Sequence, residues 1–457
     1  MPLQSFDNVL DMIGKTPLFA ARHLEAGPCS LFLKLENQNP GGSIKDRVGL
    51  YLIEAAERAG YIKPGGTLIE ATAGNTGLGL ALVAGQKGYR LLLVIPDKMS
   101  QEKIFHLRAM GADIVMTRSD VHRGHPDYYQ DRAAALAREI PNSFYVNQFG
   151  NEANPRAHEQ TTAPEIWEQM NHDLDAVICG VGTGGTITGL SHFFARTAPH
   201  VELVLADPAG SILAGYVKTG ELGPGERSWL VEGIGGDSIP AICDLARVKK
   251  AYTITDAEAF RTCRELLKKE GIIAGTSTGT LLAAALRYCQ EQPRAKRVVT
   301  FVCDSGNKYL SKVYNDYWMI DQGFLERESF GDLRDLIARR HWEHAAVTVD
   351  ASEPVLAAYR RMKLYDVSQL PVMRAGNIVG IVDEEDILIN VFAKPEHFNE
   401  PVTNAMISRL ITVPADAPVA SLMDIFNRGM VAIVMDGATF LGLVTRIDLL
   451  NWLRRRL

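Results

Sequence analysis

Short apolar runs that end in turn residues recur along the first 325 or so positions: LLLVIP at 91–96, ADIVMT at 112–117, AVICGVG at 176–182 and ELVLADP at 202–208. Runs of this length, closed by turn residues, predict buried strands. Between them the apolar positions fall at helical spacing, as in 78–87 and 101–110. Strand–helix alternation predicts an α/β unit with a mainly parallel sheet covered on both faces.

After about residue 330 the pattern repeats itself. AVTVDASEPVLAAYRRM returns as LITVPADAPVASLMDIF 64 residues on, and GIVDEEDIL as GLVTRIDLL 62 residues on. The drift of two residues reads as a loop deletion in the second copy. Two copies at a fixed offset predict a duplicated module whose halves share a buried face. The expected division is 1–325 for the α/β unit, 326–338 for a charged linker and 339–457 for the paired module.

The chain of 457 residues is too long for one ordinary core. A net charge of −6 supplies no basic face, so no nucleic-acid partner is expected. No apolar run approaches membrane-spanning length, and MPLQSFDNVLDMIGKTPL has none of the regions of a secretory signal. The six cysteines include no C-x-x-C pair, which suits reduced thiols in a cytoplasmic protein. No metal-ligand cluster stands out, and His23, His106, His122, His125, His158, His172 and His192 are scattered among polar neighbours.

Candidate chemistry begins with GGSIKDR at 41–47, where one lysine follows a glycine pair. It is either a solvated turn that opens a helix or a lysine that forms a Schiff base with a carbonyl compound. Three glycine-rich stretches accompany it: ATAGNTGLG at 71–79, GVGTGGTITG at 180–189 and GTSTGT at 275–280. Each is expected as a loop between a strand and a helix, where free N–H groups and the helix dipole favour an anion. The second, rich in glycine and threonine, is the best phosphate cradle. It is not a Walker loop, because the lysine of that motif is missing. A lysine plus a phosphate cradle is what an aldehyde cofactor with a phosphate arm needs, which points to pyridoxal 5'-phosphate.

NPGGSIKDR, TAGNTG, GVGTGGTITG and GTSTG, in this order over residues 5–320, resemble the fold-type-II pyridoxal-phosphate β-replacement enzymes, the family of cystathionine β-synthase and cysteine synthase. The resemblance implies open, mostly parallel sheets with flanking helices. It implies that Lys45 is the Schiff-base lysine and general base. Asn75 would meet the cofactor's 3' oxygen. Gly182, Thr183, Gly184, Gly185 and Thr186 would hold the phosphate, and Ser277 would face the pyridine nitrogen. Thr72, Ala73, Gly74, Asn75 and Thr76, with Gln148, would take the substrate carboxylate. VEGIGGD at 231–237 resembles a synthase loop and sets Glu232 near the chemistry, although Gly236 stands where the familiar synthases carry tyrosine.

The paired module resembles a tandem CBS-domain pair of α+β type. In its strand-to-helix turn Thr445 and Asp448 would contact a ribose; in the first copy Asp383 and Asp386 stand in those places. The extra carboxylate disfavours phosphates, so S-adenosylmethionine is the expected ligand; the alternative is a purely structural or dimerising module. The implied activity is a lyase that condenses L-serine with L-homocysteine, with hydrogen sulfide release from cysteine as a side activity. The alternatives are an O-acetylserine sulfhydrylase with a regulatory module and a non-catalytic adenosyl-ligand sensor. No haem is expected, and a homodimer or higher homo-oligomer is.

Overall fold

The computed structural model describes residues 5–97, 99, 101–122, 124–223 and 228–455. The chain divides into two compact units, Met1–Tyr314 and Asn315–Leu457.

Among the described residues ten strands build the first unit: β1 (Leu18–Ala20), β2 (Ser30–Lys34), β3 (Thr67–Glu70), β4 (Arg90–Pro96), β5 (Asp113–Thr117), β6 (Ser143–Tyr145), β7 (Ala176–Cys179), β8 (Glu202–Pro208), β9 (Val248–Ile254) and β10 (Arg297–Phe301). They form two sheets, ordered β1-β2-β10-β7-β8-β9 and β5-β4-β3-β6. Every pairing is parallel except the edge pair β1/β2. The central strands β3 and β7 are buried along their whole length, as strands covered on both faces must be. The four apolar runs at 91–96, 112–117, 176–182 and 202–208 are β4, β5, β7 and β8, but β5 lies at the edge of its sheet and only its last residue is buried.

Glycines at one helix crossing set the geometry of the site. A Cβ on Gly79 would sit 2.5 Å from the Lys45 carbonyl, and one on Gly49 would sit 2.7 Å from the backbone of Gly79. The helices Lys45–Arg58 and Asn75–Lys87 therefore touch backbone to backbone, which brings the residues at their N-termini together. The stretch at 275–280 differs from expectation. No strand leads into it, and Thr276–Gln290 is already helix. Its Gly279 is a packing residue, because a Cβ there would fall on the Ala259 carbonyl of the neighbouring helix Asp256–Glu270.

The second unit holds two three-stranded sheets, one per repeat. In each, a short strand runs parallel to the first arm of an antiparallel hairpin. Both hairpins shift register at the same place, between Val372 and Met373 and between Val434 and Met435. The two residues lost between copies fall around the first helix of each repeat, which has 11 residues in Val355–Tyr365 and 7 in Ser421–Asn427. Of the expected linker, Leu333, Leu336 and Ile337 are buried in the core of the second repeat with Leu422 and Val434.

Candidate active site

GGSIKDR is no solvated turn. Gly42 takes a φ of +76°, which lets the chain reverse into the helix that Lys45 begins. Ser43 Oγ accepts the Lys45 N–H at 3.2 Å. Asp46 and Arg47 are buried at 0 % and 1 % exposure. Arg47 donates to both oxygens of Glu36, at 2.8 and 2.9 Å, and to both of Glu165, at 2.7 Å each. Lys34 adds a 2.8 Å bond to Glu165. Arg47, Lys34, Glu36 and Glu165 are thus paired with opposite charges, which is the condition for tolerating them, whereas Asp46 meets only the Gly41 N–H. The network holds the first turn of the lysine's helix in place.

Lys45 opens onto a cavity of about 310 Å³. Thr72, Gly74, Asn75, Thr76, Gln148, Gly182, Thr183, Gly184, Gly185, Thr186, Glu232 and Ser277 line the same cavity. These residues come from five separate stretches of chain. Ala73 lines instead an adjoining cavity of about 600 Å³. Burial pushes the Lys45 ammonium below the ordinary lysine value, against the pull of Cys303 and Asp304. A lysine shifted this way is a better nucleophile and base near neutral pH.

The residues fit pyridoxal phosphate. The helix Gly185–Thr197 starts at Gly184, which has no side chain to cap it; Thr183 Oγ1 reaches only the Gly185 N–H, at 3.5 Å, so the following N–H groups of the first turn remain for an anion. A Cβ on Gly182 would fall on the Gly233 carbonyl oxygen, and one on Gly185 on the Asn154 side chain. Only glycine gives this close a cradle. Thr183 and Thr186 add hydroxyls. Thr186 Oγ1 lies 3.3 Å from Nε2 of His158, a buried imidazole whose burial holds its pKa well below the usual value. Ser277, 5 % exposed, sits in the first turn of its helix. No carboxylate among the described residues lines the cavity beside it except Glu232.

Several residues that organise this site were not legible beforehand. Asn75 donates to Asp304 at 2.8 Å and accepts from Lys308 at 2.6 Å, so both ends of its amide are fixed. Asn154, fully buried, donates to the Gln148 carbonyl and to Thr183 Oγ1, each at 2.9 Å, and so ties Gln148 to the glycine-rich stretch 180–189. Glu232 is gripped by Lys103 and by Lys312, the latter at 2.7 Å. Burial pushes its carboxyl up, but the two lysines outweigh burial and hold it below the usual range. Glu232 is thus an ionised residue in an ion-pair cluster at the cavity wall, not a free acid.

Buried acids give this unit a pH signature. Burial raises Glu70 and Asp46 to about 7 and Asp207 to about 6. Unfolded carboxyls release their protons near pH 4. Between those values the folded state binds more protons, so the stability these groups contribute is full below about pH 4 and lost as pH rises through 6–7. Glu165 works oppositely: burial pushes it up, but Arg47 and Lys34 hold it at about 2, and its contribution is lost only as pH falls through that value. The cofactor-free protein should therefore melt several degrees lower at pH 8 than at pH 5.5 in scanning calorimetry. A flat or rising melting temperature over that interval would contradict the assignment.

In the second unit Thr445 and Asp448 line a cleft of about 490 Å³ with residues of both repeats, among them Arg339, Asp366 and Met430. The same pair also forms a capping box: Asp448 Oδ2 accepts the Thr445 N–H at 2.7 Å, and Thr445 Oγ1 accepts the Asp448 N–H at 3.4 Å. Asp383 and Asp386 repeat the box in the first copy. The T-x-x-D spacing is therefore also helix-cap chemistry.

Comparison with known proteins agrees with this geometry. The family model described as pyridoxal-phosphate dependent enzyme matches residues 9–304, and the CBS domain model matches 335–392 and 402–455. A cystathionine beta-synthase of Dictyostelium discoideum is 35 % identical over 465 residues, covering 98 % of this chain and 92 % of that protein. An O-acetylserine dependent cystathionine beta-synthase of Bacillus subtilis is 39 % identical, covering 67 % of this chain and 96 % of its own. The crystal structure of a hydrogen sulfide-producing enzyme from Fusobacterium nucleatum superposes with a TM-score of 0.62 at 37 % identity, over 67 % of this chain and 99 % of that one. With its glycine cradle and its lysine on one cavity in the first unit, and a tandem repeat after residue 330 in the sequence, the chain belongs to the pyridoxal-phosphate-dependent enzymes and carries a C-terminal pair of CBS domains.

Proposed function

We propose that this enzyme exchanges the β-hydroxyl of L-serine for the thiol of L-homocysteine, giving L-cystathionine and water. The observation that carries the reading is the likeness to a cystathionine beta-synthase along 98 % of the chain, both units included. Bound pyridoxal phosphate supplies a carbonyl that condenses with amines and a ring that draws electrons from the amino acid's Cα. Thr72, Gly74, Asn75, Thr76 and Gln148 hold the amino acid's carboxylate, and Ala73 shapes the same loop from the adjoining cavity. Lys45, with its lowered pKa, takes the proton from Cα and returns it after the β-group has been exchanged. Ser277 would be the residue to face the ring nitrogen of a bound cofactor, with a neutral hydroxyl. A neutral partner leaves the ring a weaker electron sink than a carboxylate would, which favours expulsion of the β-group over transamination. Cysteine in the place of serine would release hydrogen sulfide.

A second reading, O-acetylserine as donor, rests on Gly236. Its N–H donates to Ser211 Oγ at 3.0 Å, and it borders an open cavity of about 770 Å³ beside the site. Product analysis separates the readings: serine or O-acetylserine, each mixed with homocysteine or sulfide. Cystathionine from serine is expected; product from O-acetylserine alone would overturn the choice of donor.

The catalytic residues all lie before residue 305, and the CBS pair takes an adenosyl ligand, S-adenosylmethionine, in the cleft that Thr445 and Asp448 line. Asp448→Ala should weaken that ligand by about 1.5–3 kcal/mol, the range for a charge-assisted hydrogen bond, as read by calorimetry on the full chain. Thr445 still caps the helix in this variant, so loss of ligand is not loss of fold. Absence of any binding to the unaltered protein would remove the sensor. The enzyme works as a homodimer or larger assembly in the cytoplasm; the exposed Leu388, Ile389 and Phe392 favour a second copy, and the six free thiols favour a reducing compartment.

A further inference from the structure

Glu70 ends β3 directly before the loop 71–76, and it is fully buried. Among the described residues no cation pairs with its carboxyl. One oxygen accepts the Ala71 N–H at 2.9 Å and the other the Gln148 N–H at 3.1 Å. The titrating groups that face it are the phenols Tyr129 and Tyr145, on the helix Tyr129–Glu139 and on β6. A buried carboxyl without a cation is costly, and it is kept here on two backbone donors from two different segments. Those segments are the two walls assigned to the substrate carboxylate. On the cavity side they are joined again, because Thr76 Oγ1 donates to Gln148 Oε1 at 2.6 Å. Glu70 is the lower rivet of a two-rivet clamp.

We propose that Glu70 is a positioning residue for amino-acid binding: by bridging the Ala71 and Gln148 amides it sets the spacing between loop 71–76 and Gln148 at which an α-carboxylate fits. This rests on the reading that those segments hold the carboxylate. Glu70 does not touch substrate or cofactor; it acts through two backbone amides. Because a few tenths of an ångström decide whether several short hydrogen bonds form together, the clamp acts on affinity for amino acids and not on the proton transfer at Lys45.

The test uses the cofactor-loaded full chain and Glu70→Gln. The amide keeps the shape, but its NH₂ meets one of the two N–H donors and that bridge is lost. Glycine and serine are titrated against the cofactor's absorbance, with no thiol present, so the outcome is independent of which thiol the enzyme uses. At least a tenfold weaker amino-acid affinity is expected, with cofactor affinity and the melting temperature of the cofactor-free chain close to wild type, and KM for serine raised more than kcat is lowered. Unchanged amino-acid affinity, or equal losses of amino-acid and cofactor affinity, overturns the proposal. If Glu70→Gln does not fold, Glu70→Asp, which retains two acceptor oxygens, is read in the same way; failure of both to fold overturns it and leaves Glu70 to the fold alone. Thr72→Ala reads the underlying assignment. If it leaves amino-acid affinity untouched the loop reading has failed, whereas loss in Thr72→Ala with none in Glu70→Gln overturns the role of Glu70 only.

Discussion

Lys45→Ala removes turnover and leaves the fold in place. In the proposed mechanism one side chain supplies both the covalent hold on the cofactor and the base at Cα, so its loss would cost two functions together, about 10³-fold or more in rate. The fold is insulated from the change for local reasons. Lys45 is the first residue of its helix, alanine is the best helix former, and the turn is held by Arg47 through Glu36 and Glu165. Lys103 and Lys308, which line the adjoining cavity, are no substitutes, because the amine of Lys308 is committed to Asn75 Oδ1 at 2.6 Å and that of Lys103 to Glu232. The variant should lose the visible absorbance of the lysine-linked cofactor while its melting temperature stays within a few degrees of wild type. Near-wild-type turnover would sink the assignment of Lys45.

Motif order along the chain picked out most of the residues that line the candidate cavity, and the structure adds the partners that motif order could not show. Lys45, Asn75, the phosphate loop and Ser277 each sit in a short stretch whose composition is dictated by close backbone approach, so they are visible as strings. The partners that orient them are not. Asp304 and Lys308 reach Asn75 from more than 225 positions away, and a single acid or lysine in a polar stretch carries no local signature. Glu70 reads as the last residue of a strand, and its two donors are backbone amides that any residue could supply. The stretch at 275–280 misled for a different reason: glycine there marks helix-to-helix contact at Ala259, and composition does not separate a packing glycine from a loop glycine. In the CBS pair the T-x-x-D spacing is that of a helix cap, and only the structure shows that Thr445 and Asp448 also stand on the wall of a cleft.

Gly182→Ala tests the cradle most severely, with one methyl group. The added Cβ would land on the Gly233 carbonyl oxygen. That contact is backbone against backbone, so no rotamer change relieves it. The two segments are also stitched together, since the Gly235 N–H donates to the Val181 carbonyl at 2.8 Å. To make room, the loop that carries Glu232 must move away from the phosphate loop, and with it the cavity wall that Lys103 and Lys312 grip. Overpacking of this kind costs about 1–3 kcal/mol. Its larger effect is on the cofactor, because the N–H groups of the cradle act as a set and are displaced as a set. Cofactor affinity should fall at least about a hundredfold, equivalent to about 2.7 kcal/mol, measured by absorbance titration of the cofactor-free chain. Gly215→Ala is the control. It lies in the helix Leu213–Thr219, a Cβ there meets nothing within 4 Å, and the substitution should be neutral or slightly stabilising. If Gly182→Ala binds cofactor as tightly as Gly215→Ala, the phosphate does not sit where the glycines make room for it.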